Sequence, residues 1–120
     1  MEIALMLTKR SPFRSKAITQ AAKDEACTVC DRNDGTTVFC HLNESWAGKG
    51  MGQKADDFAG FFGCQKCHKD YDEIGMIEDW LIMRAMYRTW RRLLDRGILR
   101  VHEPNAKSGR VSSSLAEGKE

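Results

Sequence analysis

Two short runs decide the fold: Cys27-Thr28-Val29-Cys30 and Cys64-Gln65-Lys66-Cys67-His68. Each places two thiols three positions apart, the spacing at which a tight turn aims both sulfurs at one point. Two such turns supply the four thiolates of a closed tetrahedral zinc shell. No secretory core precedes them: Met1 to Leu7 is mildly apolar, but it is short and carries Glu2. A cytosolic chain keeps its thiols reduced, which argues against a disulfide framework. A thioredoxin-like redox pair would need one motif within a βαβ pattern, and none is visible. Cys27, Cys30, Cys64 and Cys67 are therefore assigned to structural zinc, with redox chemistry or buried free thiols as the alternatives.

Between the runs, Asp34-Gly35 signals a turn, and Thr36 to Cys40 is a β-rich stretch that delivers His41 at its far end. Asn43 to Gly63 is glycine-rich, with room for a second strand near Phe58 to Phe62. The second cysteine run starts a helix that Gly75 can stop. On the N-terminal side, Ser15 to Asp24 reads as a short helix. On the C-terminal side, Met76 to Asp95 is the strongest helix in the chain. Trp80, Met83, Tyr87, Trp90 and Leu94 recur at three- and four-residue steps and are expected to face the core. Arg84, Arg88, Arg92 and Arg96 form a separate ridge, and Gly97 suits a left-handed cap. Ile98 to Val101 reads as strand or coil. Residues 103–120 are polar, include Ser112-Ser113-Ser114, and are expected to be disordered. The expected organisation is one domain over 1–102 and a tail over 103–120.

Composition sets the outer limits. The chain has 120 residues, 42% hydrophobic and 30% charged, which is one soluble domain with or without a tail. No apolar run is long enough to span a membrane, so a cytoplasmic location and no membrane partner are expected. A core this small gains from a metal staple. Nineteen Lys and Arg face seventeen Asp and Glu, a net charge of +2. The positive charge gathers in two flanks, Met1 to Ala26 and Glu78 to Arg100, around a mixed centre. That distribution suits a polyanion or an ordinary solvated helix surface.

With these residues in view, the chain resembles the HNH, or ββα-metal, endonucleases. Cys27-x-x-Cys30, Val38-Phe39-Cys40-His41 and Cys64-x-x-Cys67-His68 carry the resemblance. More narrowly, it looks like the small HNH-like nucleases encoded by phages and prophages, in which a basic leader like Arg10 to Lys16 precedes the first knuckle. A Gly-x-Gly-x-Lys stretch, here Gly50 to Lys54 with Asp56 and Asp57 after it, lies between the His and the second knuckle. The resemblance covers roughly Arg10 to Val101. It implies an α+β treble clef stapled by zinc, a β-hairpin plus helix with an additional C-terminal amphipathic helix. It also implies a bacterial host cell, DNA as the partner, and a homodimer as an option for double-strand cutting.

Phosphodiester hydrolysis needs an activated water, charge stabilisation on the phosphate, and help for the departing oxygen. His41 is the candidate general base, because imidazole exchanges protons near neutral pH. His68 and Asp72, four residues apart, share a helix face and can chelate one divalent ion, Mg²⁺ or another. Asp57 lies closest to the place of the middle Asn that orients the base in the HNH pattern. Lys49 and Lys54 in the glycine-rich loop, together with Arg14 and Lys16, are candidate phosphate contacts, and Trp46 could stack on a base. Each residue also has a plain structural reading, as a hairpin-closing His, a helix-start His or solvated acids. Cys40 departs from the family pattern, since a thiol is a poor Mg²⁺ ligand. It either packs inward, marks a softer metal, or accompanies a site without catalysis. Two other functions stay open: a non-catalytic zinc-binding nucleic-acid module, and a protein-interaction adaptor using the Trp80/Trp90 helix.

Overall fold

The computed structural model describes residues 11–50 and 52–104. The first ten residues, Met51 and residues 105–120 lie outside the described part, and with them most of the expected disordered tail. The element order is α1 (Lys16–Gln20), β1 (Val38–His41), β2 (Gly60–Gly63), α2 (Gln65–Lys69) and α3 (Asp79–Asp95). A wide π-type turn over Asp70–Ile74 extends α2. It ends at Gly75, whose φ of 65° is left-handed. This is the small α+β architecture expected, a two-stranded hairpin among helices.

The hairpin is the centre of the molecule. β1 and β2 pair antiparallel, with Phe39 opposite Phe62, Cys40 opposite Phe61 and His41 opposite Gly60. Side chains alternate along a strand, so each face of the hairpin carries its own core. Phe39 and Phe62 pack with Ile18, Ala21, Ala22 and Leu93. Cys40 and Phe61 pack with Cys27, Cys64, Leu42 and Ala85 on the other side. The strands approach closely only because β2 begins and ends in glycine. A Cβ on Gly60 would collide with the Cys40 carbonyl oxygen and the Phe39 ring, and one on Gly63 would sit 2.7 Å from Cys40 Sγ. β2 starts two residues later than expected because Phe58 belongs to a turn, closed by Ala59 N–H donating to Asp56 O at 2.9 Å.

The outer edge of β2 is capped by two threonines. Phe62 N–H donates to Thr89 Oγ1 of α3 (3.0 Å), and Phe62 O accepts from both the amide (2.8 Å) and the hydroxyl (2.7 Å) of Thr28. An exposed strand edge would otherwise be a template for unwanted pairing.

α3 corrects the sequence reading twice. Its buried residues are Ile82, Ala85, Thr89 and Leu93, whereas Trp80, Met83, Tyr87, Trp90 and Leu94 are all exposed. Close approach to β2 requires small side chains at the contact, and Ala85 and Thr89 supply them. The arginine ridge, in turn, is used within the chain. Arg84, Arg88, Arg92 and Arg96 donate to the carbonyls of Val29, Thr28, Ala26 and Ala21 at 3.2, 3.2, 2.8 and 2.8 Å. Glu25 pairs with Arg92 and Arg96. Four guanidinium groups one helical turn apart thus clamp the segment that leads into and forms the first cysteine knuckle. Gly97 takes the left-handed cap conformation (φ 74°). Ile98 and Leu99 follow as coil and pack on the Phe39 core. Among the described residues, no helix is long and apolar enough to cross a membrane.

Candidate functional site

The two cysteine runs meet. The sulfurs of Cys27, Cys30, Cys64 and Cys67 all lie within 4.8 Å of one another, and Cys30 Sγ is 3.7 Å from Cys64 Sγ. A tetrahedron with metal–sulfur bonds of ~2.3 Å has edges of about 3.8 Å, so the donor set fits one ion. Burial pushes the Cys27 thiol up, but backbone amides, those of Cys30 and Val29 among them, outweigh it and hold the group below its ordinary value. Burial together with the Cys27 charge drives Cys67 upward. Cys27, Cys64 and Cys67 are buried and Cys30 is exposed. Cys40 stands apart from the tetrad. It is fully buried, with its thiol pushed up chiefly by that burial, which matches the inward-packing alternative.

His41, at the end of β1, points away from the tetrad into an open cleft of about 510 Å³ lined by Arg14, Lys16, Phe39, Lys54 and Asp57 among others. His41 Nε2 lies 2.8 Å from Asp57 Oδ1. The edge of the Phe39 ring steadies the imidazole, with centroids 4.9 Å apart. Ser15 N–H donates to Asp57 Oδ2 at 2.7 Å, and Arg14 reaches Oδ1 at 3.3 Å. Burial alone would raise the Asp57 carboxyl. Bonds from His41 and the Ser15 amide, with the Arg14 charge, outweigh it and hold the group below its ordinary value. An ionised Asp57 accepts a proton-bearing Nε2 and leaves Nδ1 as the basic nitrogen.

The basic leader is held to this cleft by the two acids after the glycine loop. Phe13 N–H donates to Asp56 Oδ1 (3.0 Å) and Asp57 N–H to Phe13 O (2.9 Å). Arg14 also donates to the carbonyls of Ala55 (2.8 Å) and Lys54 (3.0 Å), so its guanidinium is engaged mostly by its own chain. Lys16 and Lys54 are exposed at the rim, and among the described residues neither has an ion-pair partner. Lys49 is exposed but lines neither this cleft nor the next. Trp46 is also exposed.

His68 and Asp72 lie elsewhere. They line a second cleft of about 450 Å³ with Thr36, Val38 and Gln65. Their side chains are 3.7 Å apart (Nε2 to Oδ2). Asn43 Nδ2 donates to Asp72 Oδ1 at 2.8 Å. Strand alternation explains the separation: Val38 and Cys40 face one side of β1, Phe39 and His41 the other. The structure therefore joins His41, Asp57, Lys16, Lys54 and Arg14, and sets the His68–Asp72 pair apart from them. The sequence reading missed the Ser15 amide on Asp57 and the Asn43 bond to Asp72. Ser15 carried a signal of its own, being a serine placed to cap α1, where it accepts from Ile18 N–H at 3.3 Å.

A family model described as "Putative nuclease YbcO" matches residues 14–106. The chain belongs to the YbcO family. The match begins at Arg14 and takes in the His41 cleft, both cysteine runs and α3. No curated protein matches the chain. A solved structure described as "Structure of a putative bacteriophage protein from Escherichia coli str. K-12 substr. MG1655" is similar at 21% identity. It covers 66% of this chain and 98% of that one, with a TM-score of 0.49. The family description implies a nucleic-acid substrate.

Proposed function

We propose that this chain is an HNH-like endonuclease, phage or prophage encoded, that hydrolyses DNA phosphodiester bonds at the His41 cleft. The observation that carries the reading is the His41–Asp57 bond of 2.8 Å in a cleft rimmed by Lys16 and Lys54. Asp57 engages Nε2 of the imidazole, so Nδ1 is the nitrogen left to act as base. Nδ1 takes the proton of the attacking water as its oxygen bonds to phosphorus, the ester P–O bond breaks and the departing oxygen takes a proton from solvent, while the two ammonium groups offset the charge that grows on the phosphate oxygens. Arg14 holds the leader in place and adds its charge to the same rim.

The order of knuckle, hairpin, knuckle and helix is that of a treble clef, with Zn²⁺ as the ion for the four thiolates. A domain over residues 1–102, ahead of a polar tail, contains every residue assigned here. Thiolates select zinc over harder ions, and a closed shell of four sulfurs makes its role structural.

His68 and Asp72 are the donors offered to Mg²⁺ or another divalent ion. One imidazole and one carboxylate leave room for water and phosphate oxygens. They open on the cleft away from His41, so no step of the His41 reaction runs through them.

Plasmid nicking by zinc-loaded protein tests the proposal, with Mg²⁺, Mn²⁺ or no added divalent ion. We expect His41→Ala to lower the rate by about 10² to 10⁴ while zinc content and fold stay intact. His68→Ala separates the two clefts: the nicking rate should be unchanged, and loss of metal-dependent nicking would bring the His68–Asp72 pair into the reaction. DNA binding that survives His41→Ala, without cleavage by wild type in any metal, would replace the nuclease reading with that of a binding module.

A further inference from the structure

The charge around the His41 cleft is mostly of one sign. Arg14, Lys16 and Lys54 line it, and Asp57 is the single acid among its lining residues. The Asp57 carboxylate is also taken up. Its Oδ1 lies 2.8 Å from His41 Nε2 and 3.3 Å from Arg14 Nη1, and its Oδ2 accepts from Ser15 N–H at 2.7 Å. Its side chain is 6% exposed. Lys16 and Lys54, by contrast, are exposed at the rim, without an ion-pair partner among the described residues.

The ββα-metal pattern implies a divalent ion beside the general base, and these residues do not fit one. Mg²⁺ dehydrates reluctantly and is held through one or two carboxylates that it can reach. Asp57 is buried behind the bonds it accepts, and turning it toward a metal would release His41, Arg14 and the Ser15 amide together. Asp56 does not line the cleft, and its buried carboxylate holds the Phe13 amide. Asp72 and Glu73 line the second cleft. The three cations also repel an ion of charge +2.

We propose that the His41 cleft is an anion site that cleaves its phosphodiester without a divalent ion, with Lys16 and Lys54 supplying the positive charge a metal would bring. The proposal rests on the nuclease reading of this cleft. In the step, the water oxygen bonds to phosphorus and its proton goes to His41 Nδ1. The ester P–O bond breaks, and the departing oxygen takes a proton from solvent. The imidazolium then returns its proton to solvent. Charge growing on the non-bridging oxygens meets the two ammonium groups. Lysine meets phosphate as a flexible point charge, which suits two exposed positions at a rim.

Two measurements on the zinc-loaded full chain test this, in buffer freed of other divalent ions over a chelating resin and with bound zinc verified by metal analysis. The first follows the ring-proton NMR signals of His41, assigned by their loss in His41→Ala, as Mn²⁺ or inorganic phosphate is added. Substoichiometric Mn²⁺ broadens the groups it binds and should leave His41 sharp. Phosphate should shift the His41 signals, and the double variant Lys16→Gln/Lys54→Gln should lose that shift. The second is plasmid nicking, which should proceed at a rate that added Mg²⁺ does not raise. Lys54→Gln should lower kcat by about 10² to 10³, as loss of a group that stabilises developing charge does, and Mg²⁺ should not rescue it. Selective broadening of His41 by Mn²⁺, or nicking that occurs only with an added divalent ion, overturns the proposal and leaves the nuclease reading standing. Phosphate that leaves His41 unmoved overturns the anion site. An absence of nicking in every condition retracts the nuclease reading itself, and the metal-free step with it.

Discussion

Asp57 joins three parts of the sequence through one carboxylate. Its Oδ1 meets His41 and Arg14 and its Oδ2 meets the Ser15 amide, so the leader, the end of β1 and the loop before β2 depend on its charge. Asp57→Asn keeps the shape but loses the charge and half of the acceptor capacity. It should destabilise the protein by about 1–3 kcal/mol, read by urea unfolding with zinc present. The pH dependence has a definite sign. The carboxyl is depressed in the native state, so its stabilisation is full above the ordinary value of 3.8 and is lost as pH falls through the lower native value. The stability gap between wild type and Asp57→Asn should therefore be constant near neutrality and shrink from about pH 4 downward. A gap that widens in acid would mean that Asp57 is not held as the anion. If the imidazole is positioned by Asp57, the variant should also cut nicking with its KM for DNA little changed. An equal loss in KM would point to leader displacement instead.

α3 shows both what a sequence pattern reveals and where it stops. Periodicity located the helix to within three residues at its start and correctly at its end, because the apolar spacing and Gly97 are local signals. It could not say which of two stripes faces inward. The aromatic line is the more apolar, yet the core chose Ala85 and Thr89, since α3 lies against the edge of β2 and bulky rings would hold it off. The arginine ridge suits a polyanion or a solvated surface equally in the sequence, because nothing local shows that its partners are carbonyls of residues 21–29. The cysteine tetrad was legible because the thiols carry their own geometric demand. Asp57 was found only by its position relative to His41. The division of His41 from His68 and Asp72 depends on which strand face α2 covers, a long-range fact. The Thr89 contact gives a test at this scale. Thr89→Val removes the acceptor of the buried Phe62 N–H and should cost about 1–3 kcal/mol. Thr89→Ser, which keeps the oxygen, should cost clearly less in the same unfolding measurement. Equal losses would show that the methyl packing, not the hydroxyl, holds α3 on β2.

The molecule as a whole has little core to stand on without its thiol cluster. The two cores flank a hairpin of four-residue strands. The Cys40-side core includes Cys27, Cys64 and Cys67 among its own members. Taking away the ion would leave converging sulfurs inside that core, with nothing to balance any thiolate charge. The first knuckle is also the segment that the α3 arginines clamp, and the second knuckle opens α2, so both helices lose an anchor together. Metal binding and folding should then be one event. We expect a strong chelator to remove one zinc per chain, to abolish the cooperative thermal transition and most of the helical circular dichroism, and to make the cysteine thiols reactive. Added zinc should restore all three, whereas Mg²⁺ should not. Cys67→Ser should behave as the zinc-free chain does. Cys40→Ala, outside the tetrad, should keep its zinc and lose only the modest stability of a small buried side chain. A chelated protein that keeps its melting transition would show that the tetrad is not the staple. Full zinc retention in Cys67→Ser would show that the ion is held elsewhere.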